Sequence, residues 1–304
     1  MKSSKLFACL QLMRPANILT AFADIVAGYV IGYVLQSGIT NDWNISYLAS
    51  HELFWLLTAT FGLYGGGVVF NDFFDAELDR VERPERPIPG GRTSKLEAAL
   101  LGTGLLLIGN LAAFKVSTIS LFIAAGISLM ALFYDKYAKH QTFLGPLAMG
   151  LCRGGNLLLG VSAFPAMINV SWFLILIPIF YIGAITLISQ GEVHGGKKIN
   201  LVIGFLFYIL VILFILSLGL IMEASFLYSL TFLALLAYLI IPPLFSAWKR
   251  HEPLLIGKAV KAGVLALIVL DAALAATYGG WLPGVIILLL LPVSMAMAKV
   301  FAVT

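Results

Sequence analysis

Apolar residues along this chain neither alternate with polar ones nor recur on one side of a helix. They come in continuous runs of about twenty, the length that crosses roughly 30 Å of hydrocarbon as a helix. The runs fall at about 17–36, 52–70, 96–114, 117–134, 143–164, 171–190, 199–220, 224–244, 258–278 and 281–302, and the pattern predicts an all-α, polytopic bundle of nine to ten transmembrane helices. The first run is too long for the apolar region of a signal peptide and lacks a small-residue cleavage pattern, so it reads as a span. Polar residues collect in the connections, the longest being 72–95 and 37–51, and with no linker between them residues 1–304 read as a single integral membrane domain.

Composition agrees with the pattern. The 304 residues are 61% hydrophobic and 11% charged, whereas a water-soluble domain carries roughly a quarter charged residues. Charge adds an orientation, because cytoplasmic loops are enriched in Lys and Arg. With the N-terminus inside, the cytoplasmic connections take Lys2, Lys5, Arg14, Arg80, Arg83, Arg86, Arg92, Lys95, Lys136, Lys139, Lys197, Lys198, Lys249, Arg250, Lys258, Lys261 and Lys299, and the opposite side keeps only Lys115. A missed or invented span would have inverted every later loop. The expected location is the inner cell membrane, multi-pass, and the isoelectric point of about 9.0 follows from topology and implies no nucleic-acid partner. Cys9 and Cys152 offer no disulfide framework.

One segment departs from the low charge elsewhere: "NDFFDAELDRVERPERPIPGGR", residues 71–92. If the second span continues as a helix through residue 79, Asp72, Asp75 and Asp79 fall at i, i+3 and i+7 on one face, and Asn71 joins them at i, i+4 from Asp75. Carboxylates this close repel unless a cation neutralises them. Mg2+ suits such hard oxygen ligands and commonly completes its shell with water and substrate phosphate. Arg80, Arg83, Arg86 and Arg92 are bidentate phosphate donors, on a loop stiffened by Pro84, Pro87 and Pro89. The competing reading is a solvated loop whose arginines pair with the acids. Deeper in the bundle, Arg153 and Asn156 lie inside the fifth span, where a charge is a functional hypothesis by default. Asp24 and Asp271, in the first and ninth spans, are candidate partners in a structural ion pair.

Residues 71–94 resemble the first aspartate-rich motif of the UbiA superfamily of membrane prenyltransferases, and "RPANILTAFADIVAGY" at 14–29 is similar to that family's opening span. "YDKYAKH" at 134–140 occupies the place of its fourth-helix end, so the likeness covers roughly residues 10–280. The resemblance implies a helical bundle around a central cavity open to lipid, with Mg2+ as cofactor and an isoprenyl diphosphate as substrate. By position it makes Asn71, Asp72, Asp75 and Asp79 metal and diphosphate residues, Asn17 a polar group of the pocket, and Tyr134 and Lys139 neighbours of the diphosphate, with Arg83 and Arg86 binding substrate.

The second motif differs. Where the family ends its sixth helix with Asp-x-x-x-Asp, this chain reads "ITLISQGEVHGG", placing Gln190 and His194 at the two acidic positions with Glu192 between them. Gln190 is a substrate-side polar group without charge, Glu192 a remaining metal ligand, and His194 a ligand or a base; ordinary loop residues are the alternative. This wording, with "YDKYAKHQTFLGPLAMGLCRGGNLLLG", is most similar to the EboC-like branch. Two functions remain open: Mg2+-dependent prenyl transfer to an unidentified acceptor within membrane lipid, or a lipid or small-molecule binding or transport protein that has lost transfer chemistry. A secondary transporter fits less well, because its polar site belongs at the midplane of broken helices.

Overall fold

A computed structural model describes residues 5–39, 44–192, 197–222 and 226–300. Among these residues the secondary structure is helical, without a strand. Ten helices are long and apolar enough to cross a membrane: Pro15–Ser37, His51–Glu82, Lys95–Phe114, Thr118–Ala138, Leu144–Val161, Pro165–Ser189, Lys198–Ile221, Phe226–Arg250, Pro253–Gly279 and Trp281–Val300. Each coincides with an expected run, and they are numbered here as spans one to ten. A short helix, Lys5–Met13, precedes them; at nine residues it is too short to register as an apolar run.

Polar caps set the starts of several spans. The Ser50 hydroxyl accepts from the Leu53 N–H at 3.0 Å, Ser117 accepts from Ser120, and Ser94 and Glu97 form a reciprocal capping box. The second span outruns its apolar segment by three turns and ends at Glu82, so the acidic motif is helical to its end. The sixth is less regular, passing through two short 3-10 segments before its continuous helix from Leu176 to Ser189.

The first and ninth spans form the centre, each 72% buried over its most apolar window, whereas the tenth is 22% buried and lies outside. Small residues let the centre close. A Cβ added at Gly28 would stand 2.0 Å from the Leu157 carbonyl oxygen, and one at Gly160 would stand 2.4 Å from that of Ile25. The first and fifth spans therefore touch backbone to backbone, which brings Asp24 within reach of Arg153.

Candidate functional site

The acidic end of the bundle is assembled from four segments. The first contribution comes from the single residue joining Lys5–Met13 to the first span. Arg14 holds a left-handed backbone, φ 49°, ahead of Pro15 at the helix start. That sharp turn aims its guanidinium at the second span, where Nη2 donates to Asp72 Oδ1 at 2.6 Å. A strained backbone at such a point is tolerated only where the surroundings enforce it.

The second span supplies the acids on one face, as the spacing predicts. Asp72 and Asp79 are buried, two turns apart, and share Arg86, whose Nη1 donates to Asp79 Oδ2 at 2.7 Å and to Asp72 Oδ1 at 3.2 Å. Arg86 reaches back because the loop after Glu82 folds under the helix: the Gly90 N–H bonds the Arg86 carbonyl at 2.9 Å, and Gly91 closes the turn at φ 67°. Asp75 pairs with Lys139 of the fourth span. Arg80 stays outside on Glu77, and Arg92 binds Gln11 and the Glu85 carbonyl.

The fourth span completes this side by changing its winding. Residues Tyr134–Ala138 form a π-turn, in which the Lys139 N–H bonds the Tyr134 carbonyl at 2.9 Å. Single π-turns of this kind often mark functional sites. Lys139 thereby meets Asp75, Tyr134 is half-buried, and Asp135, 4% exposed, accepts from Asn71 Nδ2 at 2.9 Å.

The solvated-loop reading thus fails on burial but is right about pairing: among the described residues each of the three motif aspartates has a cationic partner, Arg14 and Arg86 for Asp72, Lys139 for Asp75 and Arg86 for Asp79. Arg83 is exposed and stands on the Glu192 side. Glu192 lies in a shallow pocket with Pro253, Leu254, Gly257, Lys258 and Lys261; partial burial raises its carboxyl pKa, and Arg83 pulls it down. Gln190 is tied to the seventh span, its Oε1 accepting from Asn200 Nδ2 at 2.8 Å. His194 lies outside the described residues. Among the described residues no group of three or more His, Cys, Asp or Glu side chains is placed to hold a metal ion, neither the motif aspartates by themselves nor the aspartates with Glu192.

Arg153 and Asn156 belong to a separate network in the middle of the bundle. Arg153 Nε stands 3.0 Å from Asp24 Oδ2 and Nη2 stands 3.9 Å from Asp271 Oδ2, while its other donors reach the Thr20 hydroxyl and carbonyl. Asn156 donates to Asp24 Oδ2 and to the Ala21 carbonyl and accepts from Thr60. Both side chains are thus engaged by protein partners, and the expected pairing with Asp24 and Asp271 is present. Asn17, at the start of the first span, stands beside Tyr64, between this network and Arg14.

Sequence reasoning passes over Arg14 and Asp135. Each carries a signal: Arg14 begins "RPAN", and Asp135 is the one acid of "YDKYAKH" at the end of an apolar run. The residues present fit a magnesium ion with few protein ligands. Asp72 is 2% exposed and its Oδ2, a hard oxygen of the kind Mg2+ takes, is buried with no hydrogen-bond partner.

Residues 25–251 match the sequence model described as the UbiA prenyltransferase family. Among curated relatives, the digeranylgeranylglyceryl phosphate synthase of Methanosarcina barkeri (strain Fusaro / DSM 804) is 34% identical over 156 residues, 51% of this chain and 54% of that protein. The synthase of the same name from Saccharolobus solfataricus (strain ATCC 35092 / DSM 1617 / JCM 11322 / P2) is 29% identical over 199 residues, 63% of this chain and 64% of that protein. The chain spans about half the length of the curated relatives it matches. A solved structure from work on digeranylgeranylglyceryl phosphate synthase in membranes superposes with a TM-score of 0.67 at 22% identity, covering 91% of this chain and 99% of the other. A UbiA homologue from Archaeoglobus fulgidus bound to GPP and Mg2+ superposes with a TM-score of 0.61 at 13% identity, covering 88% of this chain and 99% of the other. At those identities the two structures speak for the fold.

Proposed function

We propose that this chain, which belongs to the UbiA prenyltransferase family over residues 25–251, transfers an isoprenyl group from a prenyl diphosphate to an acceptor with the help of Mg2+ at the acidic end of the bundle. The observation that carries this reading is the buried, unpartnered Oδ2 of Asp72 beside a carboxylate face and three cations drawn from separate segments. A carboxylate oxygen buried without a donor wants a cation. Bound Mg2+ would supply neutralisation of the leaving diphosphate. Asn71, Asp72 and Asp75 are the residues to hold it, while Asp79 keeps Arg86 in place. Arg14, Arg86 and Lys139, now on carboxylates, are the donors for phosphate oxygens.

The reaction breaks the bond between the allylic carbon and the diphosphate oxygen, whose electron pair leaves with the diphosphate. An acceptor nucleophile then forms a bond to that carbon and releases its proton. A bundle of ten apolar spans keeps bulk water from the allylic cation. The relatives are named for a digeranylgeranylglyceryl phosphate product, so an acceptor of glyceryl phosphate type is the first to test. The EboC-like likeness rests on the wording of residues 134–160 and of the second motif. The excess of Lys and Arg on the acidic side supports placing that end and the N-terminus in the cytoplasm.

The test uses purified protein in lipid nanodiscs with Mg2+, labelled prenyl diphosphates of several lengths and a lipid extract as acceptor source. Diphosphate release and a prenylated lipid are expected, both abolished by EDTA. Asp72→Ala and Asp75→Ala should lose at least about 100-fold in release with unchanged secondary structure and a folded elution profile. Unchanged turnover in either variant overturns the assignment. Prenyl diphosphate binding without release, whatever the acceptor, would favour the binding or transport reading.

A further inference from the structure

Asp135 has no role in the proposed reaction, although it is a buried carboxylate beside the acidic face. Its placement depends on the π-turn. One extra residue in the turn rotates the residues beyond it by about 100° relative to an α-helix, and it sets both Asp135 and Lys139 against the second span. Lys139 answers Asp75. Asp135 answers an amide, and that choice has a geometric consequence.

An asparagine side chain carries a donor on one side and an acceptor on the other. In the 2.9 Å contact between the two side chains, Asn71 Nδ2 donates to Asp135 Oδ1. The carbonyl oxygen of Asn71 is then turned away from Asp135. The opposite orientation would set two oxygens against each other. Next along the helix is Asp72, whose Oδ2 is buried and without a donor. A carbonyl oxygen turned outward by a carboxylate behind it is a hard acceptor left open to a cation.

We infer that Asp135 is the positioning residue of the metal site: it fixes the amide of Asn71 so that oxygen, and not nitrogen, is offered to Mg2+. The inference rests on the proposal that Mg2+ is held beside Asp72. Outer partners of this kind typically change metal affinity by about 10- to 100-fold when removed.

The test is Mn2+ binding followed by electron paramagnetic resonance on the full chain in nanodiscs, with inorganic pyrophosphate present. Asp135→Ala should weaken Mn2+ binding by about 10- to 100-fold. Asp135→Asn, whose side-chain oxygen can still accept from Asn71, should remain within about threefold of the parent, by the same orientation argument. Pyrophosphate binding without metal, read by calorimetry, should not weaken in either variant, since the cations that receive it are untouched; a merely structural role would weaken it too. Unchanged Mn2+ affinity in Asp135→Ala overturns the inference, as does an equal loss in Asp135→Asn, which would make charge and not orientation the cause. If Asp135→Ala does not fold, Asp135→Ser, too short to span the contact, carries the same expectation. Failure of the parent protein to bind Mn2+ is a different result, and it overturns the metal reading together with the inference.

Discussion

A guanidinium buried among helices is stable only while its counter-charges remain with it. Arg153 faces two carboxylates, Asp24 and Asp271, each at most 2% exposed, and its remaining donors are spent on Thr20. Removing one member of such a cluster leaves uncompensated charge in a medium that solvates it poorly. Arg153→Ala should therefore cost about 3–5 kcal/mol, measured as reduced resistance to unfolding in detergent. Replacing the whole cluster by Asp24→Asn, Arg153→Met and Asp271→Leu should recover most of that stability, since apolar replacement of a complete buried ion cluster is often neutral or better. The triple variant also separates a structural role from a substrate role: recovered stability with recovered diphosphate release makes the cluster structural, and recovered stability without release assigns Arg153 to the substrate. The need of Arg153 for an acid was readable from the sequence. That Thr20 would take two of its donors, and that Asn156, itself held by Thr60, would share Asp24 with it, was not, because a hydroxyl or an amide in an apolar run has many ways to satisfy itself within its own helix.

Among the elements, the end of the fourth span matters most to the site. An ordinary α-helix through residues 134–139 would carry Lys139 away from Asp75 by roughly the 100° that one residue subtends. Deleting Lys136, which is exposed and whose ammonium group lies over the neighbouring Tyr137 ring, removes the extra residue while leaving a helical segment. Circular dichroism should be unchanged. The KM for prenyl diphosphate should rise by on the order of 100-fold, the scale of loss when a binding group is misplaced by an ångström or so. An unchanged KM would show that Lys139 does not depend on the turn. The extension of the second span was legible, because the i, i+3, i+7 acids make sense only on a helix. The π-turn was not, because hydrophobic periodicity over five residues cannot distinguish windings that differ by a single hydrogen-bond register.

For the whole molecule, the placement of Lys and Arg makes a prediction about sidedness. In a background without Cys9 and Cys152, Lys115→Cys, on the exposed connection after the third span, should react with a membrane-impermeant maleimide only from outside the cell. Gln141→Cys, on the exposed connection after the fourth span, should react only from the cytoplasmic side. Labelling of both from the same side would invalidate the span order, since a single span separates them. The same arrangement puts Arg14, the second-span acids, Lys139 and Glu192 at one end of the bundle, with the buried Arg153 network between that end and the other.

The sequence by itself determined a count of nine to ten spans, their order and the acidic face of the second, because each follows from local periodicity and from the thickness of a bilayer. It also singled out the residues able to take part in a diphosphate site. Only the tertiary structure decided their partners. Arg14 and Arg86 converge on Asp72 through a left-handed residue and a loop folded beneath a helix, while Lys139 takes Asp75 and Asp135 takes Asn71 across the gap between two spans. Pairings of that sort join residues 7 to 64 positions apart. They are fixed by how helices approach one another, and side-chain chemistry alone leaves several partners open to each cation.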